Sequence, residues 1–259
     1  MIDFRSRYGR YALVTGASAG LGEEFARRLA ALGMDLILVA RRADKLDALA
    51  SQLQLSSKVD IKTIALDLAL PDSVDALKKQ VKGLDVGLVI LNAATLTVGS
   101  FLDNSVESQE NVVTLNSVVP TRLAHAFGGE MRRKGRGGLL FVSSLIGYQA
   151  AAPYQASYAA SKAYLSALSL AMHVELKEFG VDVTTLAPGP TLTEGFQNMV
   201  GIDFSKLPMK PMSTQPVVRL ALEGLGKRAI VIPGVMNNFT DFLGKYVMGR
   251  VSGAKLFGA

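Results

Sequence analysis

The chain has 259 residues and a formal net charge of +6; 49% of its residues are hydrophobic and 19% are charged. This composition excludes a disordered chain, and the scattered positive charges lack the dense basic stripe that is typical of nucleic-acid-binding proteins. The absence of cysteine excludes disulfides, thiolate metal sites and a cysteine nucleophile, and fits a reducing compartment. The first residues carry charges where a signal peptide needs an apolar core, so we expect a cytoplasmic protein.

Short apolar runs alternate with amphipathic stretches along the chain, as expected of β-α-β units around a parallel sheet buried on both faces. Strands are predicted at residues 11–14, 36–40, 61–65, 86–91, 139–142, 181–186 and 229–232. Helices are predicted at residues 23–32, 43–54, 72–81, 105–127, 157–179 and 216–226. Because no repeat or linker interrupts this order, we predict one α/β domain over residues 1–259, a doubly wound sheet of about seven parallel strands with helices on both faces.

A glycine-rich turn joins the first predicted strand to the first predicted helix. The turn contains Gly16, Ser18, Gly20, Leu21 and Gly22. Glycines let the backbone approach a pyrophosphate closely, while the free N–H groups and the dipole of the helix N-terminus favour an anion. The turn therefore predicts a dinucleotide site; the alternative is a tight turn without a ligand.

Two arginines, Arg41 and Arg42, follow the second predicted strand. A carboxylate at this place would bind the ribose hydroxyls of NAD(H), whereas guanidinium groups suit the 2′-phosphate of NADP(H). Two cations at a helix N-terminus also oppose the helix dipole, which favours a bound anion over a merely solvated helix start. We therefore predict NADP(H), in preference to NAD(H), as the cofactor.

Tyr158 and Lys162 lie four residues apart on the predicted helix 157–179, so their side chains share one face. A ketone that accepts a hydride becomes an alkoxide unless a proton reaches it, so this reaction needs a positioned acid. A neighbouring ammonium and the positive charge of oxidised nicotinamide should lower the pKa of the tyrosine from its usual value of about 10. The pair predicts proton transfer by Tyr158, with Lys162 tuning the phenol and holding the nicotinamide ribose.

The T-G-x-x-x-G-x-G spacing of the glycine turn and the Tyr-x-x-x-Lys pair together resemble the short-chain dehydrogenase/reductase family, and the resemblance covers nearly the whole chain. It implies a Rossmann-like fold and a catalytic set of Asn116, Ser144, Tyr158 and Lys162. In this resemblance Asn116 holds a water of the proton relay. Ser144, which precedes Gly147 by three residues, orients the substrate carbonyl.

The same resemblance implies cofactor contacts after several predicted strands. Asn92 and Ala93 stand where the family usually has Asn-Asn-Ala-Gly, although Leu91 replaces its first Asn and Ala94 its Gly. Further implied contacts are Asp67 and Leu68 near the adenine, Tyr158 and Lys162, and Pro188, Gly189, Thr191 and Thr193 after the sixth strand, with Thr193 at the carboxamide or phosphate end of the cofactor. The only two histidines, His125 and His173, lie in amphipathic helices without such a context, and no metal site is predicted.

Residues 190–214 depart from the alternating pattern, because they are rich in Pro, Gly, Met and Phe without a clear period. Long irregular loops in compact domains are commonly lids or binding loops. We therefore predict a lid over an apolar substrate, the alternative being an ordinary surface excursion. The apolar side chains of this predicted lid are Phe196, Met199, Phe204, Leu207, Met209 and Met212.

Apolar residues recur at helical spacing within residues 236–250, which predicts a C-terminal helix. Such a stripe packs more often on its own domain or on a sister subunit than on a membrane, and members of the resembled family are commonly dimers or tetramers. We expect a homodimer or homotetramer. Membrane contact through this basic helix is the minor alternative.

These features predict a cytoplasmic NADP(H)-dependent oxidoreductase that moves a hydride between the cofactor and a small-molecule carbonyl or alcohol, without a nucleic-acid partner. The apolar predicted lid favours an apolar ketone, such as a 3-oxoacyl thioester, a steroid-like ketone or a polyketide intermediate. Cellular NADPH is largely kept reduced, which favours reduction. The alternative is a non-catalytic NADP(H)-sensing protein of the same fold. Such a protein would be expected to have lost one of the catalytic side chains that this chain retains.

Overall fold

A computed structural model of the chain describes residues 3–149, 152–197 and 210–246. Its strands form one parallel sheet in the order β3-β2-β1-β4-β5-β6-β7, which confirms the predicted doubly wound fold. The predicted strand boundaries differ from the observed ones by at most two residues. The strands are β1 Tyr11–Thr15, β2 Asp35–Ala40, β3 Ile61–Ala65, β4 Val86–Leu91, β5 Gly137–Val142, β6 Val181–Leu186 and β7 Ile230–Val231.

Helices pack on both faces of the sheet because successive strand residues alternate between the two faces. The helices are α1 Phe4–Tyr8, α2 Gly20–Ala31, α3 Ala43–Ser56, α4 Ser73–Gln80, α5 Val106–Val113, α6 Val119–Lys134, α7 Leu145–Gln149, α8 Ala156–Lys177, α9 Glu194–Gln197, α10 Thr214–Gly224 and α11 Val235–Tyr246. Within β1, Ala12 and Val14 pack in the layer with α2, α3 and α10, whereas Tyr11 and Leu13 pack in the layer with α4, α6 and α8.

The order of the strands reverses at β1, which lies between β2 on one side and β4 on the other. Leu13 pairs with Ile37 of β2 and with Val89 of β4. In open α/β sheets, ligands bind in the crevice outside the carboxyl ends of the strands at such a switch point. The loops that follow β1, β4, β5 and β6 all leave the sheet at this edge, and they carry nine of the predicted site residues.

The structure corrects the predicted helix 105–127. α5 and α6 are joined by a π-helical turn over Thr114–Val118, and α6 continues to Lys134. Pro120 accounts for the break, because it has no N–H to donate to the Asn116 carbonyl and its ring would clash with that carbonyl in a regular α-helix. The short helices α1, α7 and α9 were missed altogether, since so few residues show no period.

Part of the predicted lid lies outside the described residues, namely residues 198–209 with Met199, Phe204, Leu207 and Met209. The described ends of this segment lie side by side: the Leu192 N–H donates to the Met212 carbonyl at 2.8 Å, and the Met212 N–H donates to the Pro190 carbonyl at 2.9 Å.

The C-terminal helix, predicted at residues 236–250, is described as Val235–Tyr246, and residues 247–250 lie outside the described part. Over the described ranges, no helix combines the length and the apolar character that crossing a membrane requires. The same ranges contain no group of three or more acidic, histidine or cysteine side chains placed to hold a metal ion.

Candidate functional site

The glycines of the turn after β1 leave no room for side chains at their own positions. Gly16 and Gly20 have φ values of 67° and 59°, in the region that strains other residues. A Cβ on Gly22 would lie 2.1 Å from the Gly16 carbonyl oxygen. α2 begins after Ala19, which has no side chain to cap the first N–H groups. The turn therefore presents bare backbone and uncapped N–H groups, which fit the pyrophosphate of a dinucleotide.

Thr15 and Asn92 fasten the glycine turn to the end of β4. The Thr15 hydroxyl donates to the Ile90 carbonyl at 3.1 Å and accepts from the N–H groups of Asn92 and Ala93 at 2.9 and 3.1 Å. The Asn92 side-chain amide donates to the carbonyls of Thr15 and Gly16 at 2.9 and 3.3 Å. The structure thus brings Asn92 and Ala93 to the turn. Thr15, the first residue of the T-G-x-x-x-G-x-G motif, was not among the predicted site residues, and the structure adds it as the residue that holds the turn to β4.

Three polar side chains, Ser18, Arg42 and Lys45, form a basic corner where β2 meets α3. The Arg42 guanidinium donates to the Ser18 hydroxyl at 3.3 Å and to the two Glu194 carboxylate oxygens at 3.2 and 3.3 Å. The Lys45 ammonium lies 3.2 Å from both of those oxygens. Arg41 is exposed and makes no hydrogen bond or ion pair with any described residue. The structure therefore brings Arg42, but not Arg41, to the glycine turn, and it adds Lys45 and Glu194.

Asp67 and Leu68 follow β3. The partly buried Asp67 carboxylate accepts from the Ala69 N–H at 3.0 Å. The Leu68 side chain is 4% exposed and packs in the layer of α4, α6 and α8. A cofactor could therefore contact Leu68 only through its backbone.

The loop after β6 lies against the glycine turn. Pro188 is buried, and the Thr191 hydroxyl donates to the Gly189 carbonyl at 2.9 Å. A Cβ added to Gly20 would lie 3.0 Å from the Thr193 Cβ. The Thr193 hydroxyl accepts from a backbone N–H of α9 at 3.1 Å. The predicted contacts of this loop thus share one edge of the sheet with the glycine turn.

Ser144, Tyr158 and Lys162 converge where β5 ends against α8. Gly147 permits the close approach, since a Cβ at this position would lie 2.3 Å from the Lys162 Cβ. The Lys162 ammonium is 2% exposed, donates to the Val142 carbonyl at 2.8 Å and lies 5.6 Å from the centroid of the Tyr158 ring. The two side chains therefore share one face of α8, as their spacing predicts.

Burial shifts the pKa values of both members of this pair. Burial raises the pKa of the Tyr158 phenol, and hydrogen bonding with the Ser144 hydroxyl offsets this only in part. Burial also lowers the pKa of Lys162 to about 8. The predicted lowering of the phenol's pKa depends in part on the charge of oxidised nicotinamide and stays a prediction; desolvation by the protein acts in the opposite direction. The raised pKa keeps the phenol protonated at neutral pH, in the form that can give a proton to a ketone.

Ser143 and Ser144 have different partners. The Ser143 hydroxyl donates to the Lys162 carbonyl at 2.7 Å and hydrogen-bonds the Ser166 hydroxyl at 2.8 Å. Ser143 therefore ties β5 to α8. The structure brings Ser144, and not Ser143, to the Tyr158 phenol.

Asn116 lies in the π-helical turn and is fully buried. Its side-chain oxygen accepts from the Thr95 N–H at 2.9 Å, and its amide group donates to the Thr95 carbonyl at 2.8 Å and to the Ser161 hydroxyl at 3.1 Å. Ser161 in turn donates to the Tyr158 carbonyl at 2.7 Å. Asn116 thus joins the loop after β4 to α8 beside Tyr158, and its role in holding a relay water stays a prediction.

Known proteins resemble the chain in sequence and in fold. The sequence profile of short-chain dehydrogenases matches residues 10–200. The chain is 31% identical over 238 residues to a 7beta-hydroxysteroid dehydrogenase of Mediterraneibacter gnavus, a match that covers 91% of this chain and 90% of that protein. It is 38% identical over 181 residues to a very-long-chain 3-oxoacyl-CoA reductase of Neurospora crassa, covering 68% of this chain and 54% of that protein.

A solved structure of a short-chain dehydrogenase from Sphingobium yanoikuyae in complex with NADPH is similar to the chain with a TM-score of 0.79. The two proteins are 34% identical, and the match covers 87% of this chain and 88% of that one.

Proposed function

Because the chain belongs to the short-chain dehydrogenase family and is thus an oxidoreductase, we propose that it reduces an apolar ketone with NADPH. The observation that carries the proposal is the convergence of Ser144, Tyr158 and Lys162 at the edge of the sheet that holds the glycine turn. The Tyr158 phenol, which can act as an acid, and the buried Lys162 ammonium lie at the same edge of the sheet as the glycine turn, whose free N–H groups suit a dinucleotide.

NADP(H) is the favoured cofactor because of the basic corner. An arginine fork, an ammonium and a hydroxyl together suit a phosphate, and the ribose of NAD(H) carries none at its 2′ position. Gly16, Gly20 and Gly22 would hold the pyrophosphate, and Arg42 the 2′-phosphate. The relative from Sphingobium yanoikuyae, whose structure is of an NADPH complex, supports this choice.

The chain's own residues would supply the proton that reduction requires. NADPH, when bound, supplies the hydride that forms the new C–H bond at the carbonyl carbon. Ser144 donates a hydrogen bond to the carbonyl oxygen and orients it. Tyr158 gives its phenolic proton to that oxygen, which completes the alcohol and leaves a phenolate. The Lys162 ammonium, still largely protonated at neutral pH with a pKa of about 8, stabilises this phenolate.

Two substrate classes are suggested by the relatives, steroid ketones and 3-oxoacyl thioesters. The hydroxysteroid dehydrogenase matches over nine tenths of both chains, whereas the 3-oxoacyl-CoA reductase matches over 54% of its own length. We therefore favour a bulky apolar ketone of steroid-like shape over a 3-oxoacyl thioester.

The test is the loss of NADPH absorbance with a panel of steroid ketones and 3-oxoacyl thioesters. Tyr158→Phe should lower kcat by about 10² to 10⁴ while leaving NADPH binding intact, because it removes only the proton donor. Tyr164→Phe is the matched control, since its hydroxyl lies on the same helix but hydrogen-bonds Thr121 on an exposed surface. Equal turnover by Tyr158→Phe and the parent would refute the role of Tyr158. NADPH binding without turnover of either substrate class would favour the non-catalytic sensor.

A further inference from the structure

A carboxylate of the protein itself, that of Glu194, occupies the basic corner. The Glu194 carboxylate accepts from Arg42 and from Lys45, and Arg42 also reaches Ser18. Each of its two oxygens lies within hydrogen-bonding distance of both cations. These contacts are those that an arginine fork, an ammonium and a hydroxyl offer to a phosphate.

The side chains of Arg42, Lys45 and Glu194 are open to solvent, with 42–43% of each exposed. Exposed ion pairs contribute little to stability, so an incoming anion can displace the carboxylate at small cost. The hydrogen bonds from Arg42 and Lys45 lower the pKa of Glu194, which keeps it ionised and in competition at neutral pH. A cleft of about 630 Å³ opens beside the basic corner, between α2, α3 and α10, and provides room for the displaced side chain.

We propose that Glu194 occupies the place of the cofactor's 2′-phosphate on Ser18, Arg42 and Lys45, so that NADP(H) must displace it whereas NAD(H) leaves it in place. Glu194 is then a specificity-determining residue: it weakens binding of phosphorylated cofactor and screens the cations when the phosphate is absent. This inference rests on the proposed use of NADP(H).

The position of Glu194 also links the corner to the loop after β6. Glu194 begins α9 and directly follows Thr193, whose Cβ lies 3.0 Å from the Cβ that Gly20 lacks. Displacement of the carboxylate therefore releases one of the contacts that hold α9 to α3.

The test is calorimetric titration of the full chain with 2′,5′-ADP and with 5′-AMP, which differs from it only in lacking the 2′-phosphate. Glu194→Gln should tighten binding of 2′,5′-ADP by about five- to tenfold and change binding of 5′-AMP by less than about twofold, because only the first ligand competes with the carboxylate. Glu23→Gln is the matched control. Glu23 lines the same cleft but pairs with Arg27 at 2.6 Å, away from the basic corner. It should leave the affinity for both ligands within about twofold of the parent.

The outcomes separate the two proposals. A parent that binds 2′,5′-ADP no better than 5′-AMP would overturn the proposed NADP(H) preference itself. A parent that prefers 2′,5′-ADP, combined with a Glu194→Gln variant of unchanged or weaker affinity for it, would overturn the role of Glu194 alone. If Glu194→Gln and Glu23→Gln tightened binding of 2′,5′-ADP equally, the loss of one negative charge anywhere near the cleft would explain the effect. That result would also overturn the role of Glu194. Urea unfolding of both variants checks that each is folded during the titrations.

Discussion

Replacing Lys162 by methionine should change the pH dependence of stability in a defined direction. Lys162 is buried, and its pKa falls from the usual 10.5 to about 8. At a pH between about 8 and 10.5 the Lys162 side chain is protonated in the unfolded chain and largely neutral in the folded chain. The charged lysine therefore destabilises the folded protein below about pH 8, and this penalty fades as the pH rises toward 10.5. Methionine, of similar shape and without charge, carries no such penalty.

The magnitude follows from the two pKa values. Their difference corresponds to about 3 kcal/mol of destabilisation at neutral pH. At pH 9 the penalty should be smaller than at pH 7 by about 1 kcal/mol, because the folded lysine is by then largely neutral. Lys162→Met also removes the hydrogen bond to the Val142 carbonyl. That loss adds a constant offset of about 1 kcal/mol and does not alter the dependence on pH.

The assay is urea unfolding of the parent and of Lys162→Met, followed by circular dichroism at several pH values from 7 to 9. The free energy of unfolding of Lys162→Met, minus that of the parent, should fall by about 1 kcal/mol over this range. Lys177→Met removes an exposed lysine at the end of the same helix and controls for the loss of a cation. If the Lys162→Met difference stays constant between pH 7 and 9, the reasoning about its burial is refuted.

Two further substitutions probe the glycine turn and the π-helical turn. Gly22→Ala should lower stability by about 1–3 kcal/mol in urea unfolding and abolish binding of 2′,5′-ADP, because its Cβ would collide with the Gly16 carbonyl, whereas Gly129→Ala on α6, with no close neighbour, should do neither. Asn116→Ala should lower the free energy of unfolding by about 2–4 kcal/mol, because it leaves the partly buried N–H and carbonyl groups of Thr95 unpaired; the exposed Asn111→Ala is its control. An Asn116→Ala variant as stable as the parent would contradict this account.

The sequence by itself determined the features that depend only on residues close together in the chain. A strand buried on both faces is apolar at nearly every position, so runs such as Val86–Leu91 mark the sheet directly. The glycine turn is equally local, because positive φ values and the contact between Gly16 and Gly22 admit no side chain. Tyr158 and Lys162 share a helix face at any place where that helix forms. These patterns depend on neighbours within one or two turns, which the sequence shows.

Only the tertiary structure decided the features that depend on distant partners. Glu194 meets Arg42 across 152 positions of chain, and no local pattern announces that contact. The burial that raises the pKa of Tyr158 depends on how much solvent the surrounding elements remove, and no local pattern shows that quantity. Pro120 was visible in the sequence, but a proline can end, kink or widen a helix. In the folded chain the helix widens into a π-helical turn at this point and continues against the sheet. The buried Asn116 in this turn hydrogen-bonds Thr95 and Ser161 of α8, and these distant partners are not visible in the local sequence.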